Sequence, residues 1–508
     1  MPEPIIYVAS AGTGKTYTLM NELEQALKQT TPRTVIYTTF TNAGASEAIK
    51  RALEKFPQFT ELDFKFFRTM HSIANRAIPS RNMMGVADFI ELGKELGVYI
   101  NGQKALNSQE SSPLNDSSIG DKLLQLDAIK RLRMCSYEDV MMQQDTSSFS
   151  VNEIKEFSEN YRNFRNKNRL YDFTDQLEQL LVLLQNNEWC QPLTDLFIDE
   201  AQDLSNLQWA IVDEFSKLVT NVVIAGDDKQ AIYGFSGGDP DSLINRKGTR
   251  RILETSYRLP KTILNFSEQI AGRIQNKQDY ICLSNKEGGN VHDILSLDDV
   301  DLSKGTWMLL VRNRKFLEYF EYILDQKNII YSSSSGRCSV DPETLDCVTQ
   351  WTNLMLGYPI EGRCIKTIYK RFLRGSGTVT RGFKGTIKFV EDDEAKTLVE
   401  LQTDHGLVAN GTWDQVFSLP EKVTETVKKL EALGELNKKP RITISTIHGV
   451  KGGEADNVII LPDMANLSYK GFLDHPDNEH RVFYVAATRA KTNLYLHQPI
   501  TDMFYPIK

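Results

Sequence analysis

The run Ile5-Ile6-Tyr7-Val8, followed by Ala9-Ser10-Ala11-Gly12-Thr13-Gly14-Lys15-Thr16, constrains this chain more than any other segment. The apolar run is strand-like, and Leu19, Leu23 and Leu27 then recur at helical spacing. A glycine-bearing loop between strand and helix leaves backbone N–H groups free to wrap phosphates, and the helix N-terminus adds positive dipole. Lys15 supplies a point charge, and the Thr16 hydroxyl suits magnesium. The usual pattern opens on glycine; Ala9 stands there instead. The candidate ATP-contacting set is Ala9, Ser10, Ala11, Gly12, Thr13, Gly14, Lys15 and Thr16.

The strand-then-polar-loop arrangement recurs at Thr34 to Phe40, Asp195 to Glu200 and Asn221 to Asp227, which predicts a parallel sheet covered by helices. At the end of Leu196-Phe197-Ile198, Asp199 can join a magnesium shell and Glu200 can orient or deprotonate a water. A pair of acids at a strand end is also an ordinary helix cap, but after a phosphate loop the hydrolytic reading is stronger. Gln230, beyond Val222-Val223-Ile224-Ala225, is the candidate γ-phosphate sensor.

At 508 residues the chain exceeds one hydrophobic core, and about 150 residues per domain suggests three or four units. Strand signal fades across 78–168, where serine, asparagine and methionine become frequent and Ser108 to Ser118 reads as loose; this predicts an inserted, mostly helical subdomain. Alternating elements return from Val291 to Tyr331, and Arg441 to Met464 and Phe483 to Leu496 supply further candidate buried strands. Between them, 338–440 reads as an α+β insertion, with small antiparallel strands expected around Ile387, Phe389, Leu398, Val399 and Leu401.

With 41% hydrophobic and 25% charged residues, and no apolar run near the roughly 18 residues of a membrane span, neither a membrane protein nor a disordered one is expected. The N-terminus reads directly into the first strand without a signal peptide, which predicts a cytoplasmic protein. Six scattered cysteines form no CxxC or Cys/His pattern and are read as free thiols. A formal charge of -8 means that any polyanion must be held in a local groove rather than by the net field.

Taken in order, Ala9–Thr16, Thr39-Phe40-Thr41-Asn42, Asp172-Phe173-Thr174-Asp175, Asp199-Glu200-Ala201-Gln202-Asp203, Gly226–Gly234, Tyr257-Arg258, Thr446–Glu454 and Tyr484–Ala490 resemble the motif series of UvrD/Rep-type superfamily 1 helicases. The resemblance implies an α/β fold of two RecA-like P-loop motor domains: 1–77 with 169–250, and 251–337 with 441–508. Subdomain 78–168 would be inserted in the first and a reduced 338–440 in the second. It implies ATP and Mg2+ as cofactors and catalytic roles for Lys15, Glu200, Gln230, Arg258 and Arg489. Arg258 and Arg489 would reach the γ-phosphate, Tyr257 would stack on adenine, and Glu454 would contact ATP. Thr39, Phe40, Thr41, Thr69, His71, Phe235, Thr446 and His448 would line a groove for single-stranded DNA.

The implied activity is a monomeric ATP-dependent DNA helicase moving 3′ to 5′, acting at single-strand/duplex junctions, with replication or recombination proteins as possible partners. The compact size and altered insertion hint at a specialised, viral version, which would work in the host cytoplasm. Departures from the pattern are the lack of room before Ile5 for an adenine-reading glutamine, and Ser236 where an arginine commonly follows the aromatic. A nuclease domain is not expected in the residues after Ala490. Two other readings compete: a DNA-binding ATPase switch or protein-stripping translocase with little unwinding, which the reduced insertion favours, and a small-molecule phosphotransferase, which Glu200, Gln230 and the two arginines oppose.

Overall fold

The computed structural model describes residues 2–78, 82–103, 105, 118–143, 149–327, 329–336, 340–373, 377–436 and 440–508. Most of the segment expected to be loose, 108–117, lies outside them, as does Cys338. The chain divides into two compact units, one of residues 1–301, 310–313 and 446–508, the other of 302–309 and 314–445.

In the first unit, six strands form one sheet: β1 (Ile5–Ala9), β2 (Val35–Thr38), β3 (Phe67–Arg68), β4 (Asp195–Ile198), β5 (Asn221–Gly226) and β6 (Thr249–Leu253). Their order is β3-β2-β4-β5-β1-β6 and every pairing is parallel. Alternation along each strand feeds two cores. Ile6, Val8, Ile36, Leu196, Ile198 and Ile224 face one, while Tyr7, Val35, Tyr37, Phe197 and Val223 face the other. Because all the strands run one way, their polar C-terminal loops gather along one edge, where open α/β sheets place ligands.

The described residues of 82–168 are largely helical, as expected: Val86–Leu96, Ile119–Arg133, Tyr137–Gln143 and Val151–Asn168 share a core that includes Phe89, Leu126, Phe157 and Phe164. A buried ionic cluster ties two of these helices to Phe173–Gln185. Arg131 pairs with Asp172, Asp175, Asp127 and Glu178, while Arg165 pairs with Asp172 and Asp175. Asp172 also caps the helix Phe173–Gln185, accepting from Asp175 N while Asp175 accepts from Asp172 N.

Further strands of this unit, Ala455–Leu461, Ala490–His497 and Asn290–Ile294, are parallel neighbours, so the α/β class is as expected. One reading fails locally. Phe483 to Ala487 is not strand but the end of the buried helix Pro476–Ala487, and only Ala490–His497 is extended. A continuous apolar run marks burial without fixing its period. No helix among the described residues is long and apolar enough to cross a membrane.

The second unit packs Val348, Trp351, Ile365, Phe372, Trp413 and Val427 into its own core. It pairs Ser332–Ser333 in parallel with the strand Ile442–Thr446. Among the described residues of the insertion, antiparallel pairing is confined to Ile360–Glu361 with Ala395–Lys396 and a bridge between Val379 and Leu407. The strands expected at Leu398, Val399 and Leu401 are instead the helix Leu398–Asp404, and Ile387 and Phe389 lie in the 3₁₀ turn Thr386–Phe389. Thr397 and Glu400 close a capping box there, and Leu398 and Leu401 fall one helical turn apart on the core side.

Candidate nucleotide and nucleic-acid site

β1 ends at Ala9 and the helix Lys15–Ala26 begins after Gly14, whose φ of 82° only glycine adopts readily. No side chain caps that helix, so its first N–H groups point into the loop. Gly12 is held by sterics: a Cβ there would lie 2.5 Å from the Arg258 Cβ. The loop is braced from behind. Tyr257 N donates to Gly12 O at 2.9 Å, Ser256 Oγ to Ala11 O at 2.8 Å, and Tyr280 Oη to Ala9 O at 2.8 Å. Ser10 Oγ is 2.7 Å from Tyr484 Oη.

Thr16 Oγ1 donates to Asp199 Oδ2 at 3.2 Å. A hydroxyl and one carboxylate, completed by phosphate oxygens and water, make a donor set suited to Mg2+. The described residues contain no cluster of three or more His, Cys, Asp or Glu side chains that could hold a metal ion. Burial and the adjacent Glu200 charge push the Asp199 carboxyl up to about 6, against Lys15. For Glu200 burial also acts upward, but Lys15, Lys451, the Gln202 amide and Arg489 outweigh it and bring the carboxyl to about 2. Glu200 thus stays an anion, and it sits at a left-handed φ of 54°, a costly conformation for a side-chain-bearing residue.

From Glu200 a polar chain runs inward. Gln202 Nε2 donates to Glu200 and Gln202 Oε1 accepts from Asp227 N at 2.9 Å. Gln230 Nε2 donates to Asp227, and Gln230 Oε1 accepts from Arg489 Nη2 at 3.0 Å. Burial and the Arg258 charge lower Arg489 to about 9. Arg258 lies 3.4 Å from Glu454, which also pairs with Lys491 at 2.6 Å, and the buried Arg258 Nε has no hydrogen-bond partner among the described residues. Tyr257 is 59% exposed, its ring uncommitted to the core. An open loop at an uncapped helix N-terminus, a guanidinium nitrogen without a partner among the described residues and a hydroxyl–carboxylate pair fit a nucleoside triphosphate with its magnesium.

Beyond Gln230 the same loop carries aromatic residues. Phe40 stacks on Tyr233 with centroids 4.7 Å apart, Tyr233 meets Phe235 at 5.9 Å, and Phe235 meets His448 at 5.5 Å. Lys451 joins the two regions. Its Nζ forms an ion pair with Asp203, donates to Gln230 O at 2.7 Å and lies 4.9 Å from the Tyr233 ring centroid. Phe235 and His448 also line a cavity of about 1170 Å³. On the other side, Phe40, His71 and Phe235 border a smaller one of about 60 Å³.

Burial lowers His71 to about 4 and, with Arg312 and Lys451, puts His448 well below the usual imidazole value, so neither offers a charge to a phosphate near neutrality. Thr41, Thr69 and Thr446 accept from the backbone N–H of Gly44, Ser72 and Gly449, which leaves each hydroxyl proton free to donate. Thr39, two residues before Thr41, is buried. The sequence reading gave no role to Gln202, Lys451, Tyr233 or Tyr484, although all four sit inside its motifs. Nothing in the sequence alone shows that they bridge one motif to another.

Strand order, phosphate loop and acid pair together define a P-loop nucleotide hydrolase of α/β build. Residues 1–249 match the UvrD/REP helicase N-terminal domain and residues 412–498 the UvrD-like helicase C-terminal domain. The chain belongs to the UvrD/Rep-like family of ATP-dependent DNA helicases. A probable DNA helicase II homolog of Mycoplasma pneumoniae is 23% identical, over 99% of this chain and 83% of that protein. ATP-dependent DNA helicase Rep of Buchnera aphidicola is 26% identical over 56% of this chain and 45% of that one. ATP-dependent DNA helicase PcrA of Staphylococcus aureus is 24% identical over 57% and 41%. The matches to Rep and PcrA thus span less than half of those proteins. Among solved structures, the PRRSV helicase aligns with a TM-score of 0.33 and 11% identity, over 99% of this chain and 54% of that one, so the fold assignment rests on the strand order itself.

Proposed function

We propose that this protein hydrolyses ATP to travel along single-stranded DNA and separates strands at a junction, moving 3′ to 5′ as its family resemblance implies. The observation that carries this reading is the single loop from Asp227 to Phe235, which holds Gln230 against Arg489 at one end and the aromatic row at the other. Movement of the γ-phosphate sensor therefore cannot leave the track undisturbed, which is the coupling a motor needs.

In this reading Lys15 and the loop N–H groups hold the phosphates, and Thr16 and Asp199 hold magnesium, which would neutralise charge on the β- and γ-oxygens. Glu200 orients and accepts a proton from the attacking water, and its anionic state suits that task. Gln230 positions the same water, while Arg258 and Arg489 offset charge developing on the γ-phosphoryl oxygens. Tyr257 stacks on the base and Glu454 holds Arg258 beside it. Phe40 and Phe235 stack on bases without reading sequence, His71 and His448 border them as neutral rings, and Thr39, Thr41, Thr69 and Thr446 donate to phosphates. The motor domains are proposed as 1–77 with 169–250 and 251–337 with 441–508, with 78–168 and 338–440 inserted, working as a monomer.

Strand separation on partial duplexes carrying a 3′ or a 5′ tail, with ATP hydrolysis followed in parallel, tests this. Unwinding from the 3′ tail alone is expected. Hydrolysis without separation on either substrate would replace the helicase reading by the switch.

A further inference from the structure

The second unit carries a basic segment that neither the nucleotide site nor the aromatic row uses. Between Glu361 and Glu391 stand eight lysines and arginines and no acidic residue, in a chain of formal charge -8. Arg363, Lys366 and Arg371 are paired with acids that flank the segment. Arg381, Lys384 and Lys388 are exposed and have no carboxylate partner among the described residues, and Lys384 Nζ donates only to Leu373 O at 3.0 Å. These three cations share nine residues with Phe383 and Phe389.

The segment is anchored rather than draped. Thr380 N donates to Gly406 O at 2.7 Å, Thr386 Oγ1 lies 2.9 Å from His405 Nδ1, and Thr386 N donates to Phe383 O at 2.9 Å. Ile387 and Val390 are buried in the core, yet Phe389 between them is 85% exposed. A fixed turn thus presents a bare aromatic face among unpaired cations. Cations of this kind meet phosphates, and a ring adds a stacking platform for bases. In a duplex the base faces are already stacked on one another, so the ring selects unpaired strands.

We propose that Arg381–Phe389 is a second binding site for single-stranded DNA, engaging the strand that the motor does not track. This rests on the reading of the protein as a motor on DNA. The test uses the full chain and fluorescence anisotropy on one duplex with two oligothymidine tails, with either tail alone, or blunt. The wild type is expected to bind the two-tailed fork about tenfold more tightly than either single-tailed form. Arg381→Glu with Lys388→Glu should abolish that gain and reduce the slope of log K against log salt by about 1.4, for two phosphate contacts. Phe389→Ala should remove most of the gain. Binding of the 3′-tailed form, the strand the motor tracks, and DNA-stimulated hydrolysis should stay unchanged in both variants. The proposal is overturned if the wild type gains nothing from the second tail, if the variants keep the gain, or if the charge reversals weaken blunt-duplex binding instead. Failure of the motor reading would appear separately, as wild-type hydrolysis that single strands do not stimulate.

Discussion

Lys451→Met is the substitution whose consequence can be worked furthest from this structure. Asp203 is buried and Lys451 half-buried beside it, and burial pushes the Asp203 carboxyl up to about 6, with Lys451 opposing the rise and Glu200 adding to it. With an unfolded value near 3.9, that shift already costs the fold about 3 kcal/mol at pH 7. Without Lys451 the folded value rises further, and once it passes 7 the group escapes at pH 7 by binding a proton, so Asp203 itself adds only about 1 kcal/mol at that pH. Gln230 O also loses its donor, at about 1 to 3 kcal/mol, which brings the total to roughly 2 to 4.

The pH dependence carries the sharper signature. Between the unfolded and folded values the native state binds the extra proton, so stability falls as pH rises across that window. In the wild type the window closes near 6; in Lys451→Met it extends past 7. The stability gap, measured from urea midpoints, should therefore widen between pH 6 and 8 by up to about 1.4 kcal/mol per unit. Adding Asp203→Asn should remove the widening. A gap that stays flat over this range, or one that persists unchanged in the double variant, would refute the assignment of Lys451 as the partner that keeps Asp203 ionised.

Glu200→Gln should still bind ATP and single-stranded DNA but lose about 10² to 10⁴ in turnover, measured as steady-state phosphate release. Phe235→Ala should weaken single-strand stimulation of that hydrolysis by about 1 to 3 kcal/mol in apparent DNA affinity while ATP binding, followed with a fluorescent analogue, is unchanged. Asp172 is pushed up by burial but held well below the usual carboxylate range by Arg131 and Arg165. Its contribution is present above about pH 4 and lost as pH falls through the depressed folded value. Asp172→Asn should cost about 3 to 5 kcal/mol in urea unfolding at pH 7 and flatten the loss of stability below pH 4.

The sequence by itself determined the parallel sheet and the edge on which its chemistry lies. A loop with glycines at 12 and 14 before Lys15, and β-branched runs that end in Thr39, Asp199 and Asp227, can be read locally, because strand period and loop chemistry are short-range properties. The assignment of Phe483–Ala487 and of Leu398–Leu401 was not legible, since apolar runs mark burial and the capping partner or the packing face then decides the period. Only the tertiary structure decided which motif touches which. Gln202 joins Glu200 to Asp227, and Arg489 reaches Gln230 across 259 positions of chain. Lys451 ties Asp203 to the Tyr233 ring. The same holds for protonation: His448 is neutral and Glu200 anionic because of burial and charges brought from distant segments, and no local pattern of residues encodes either.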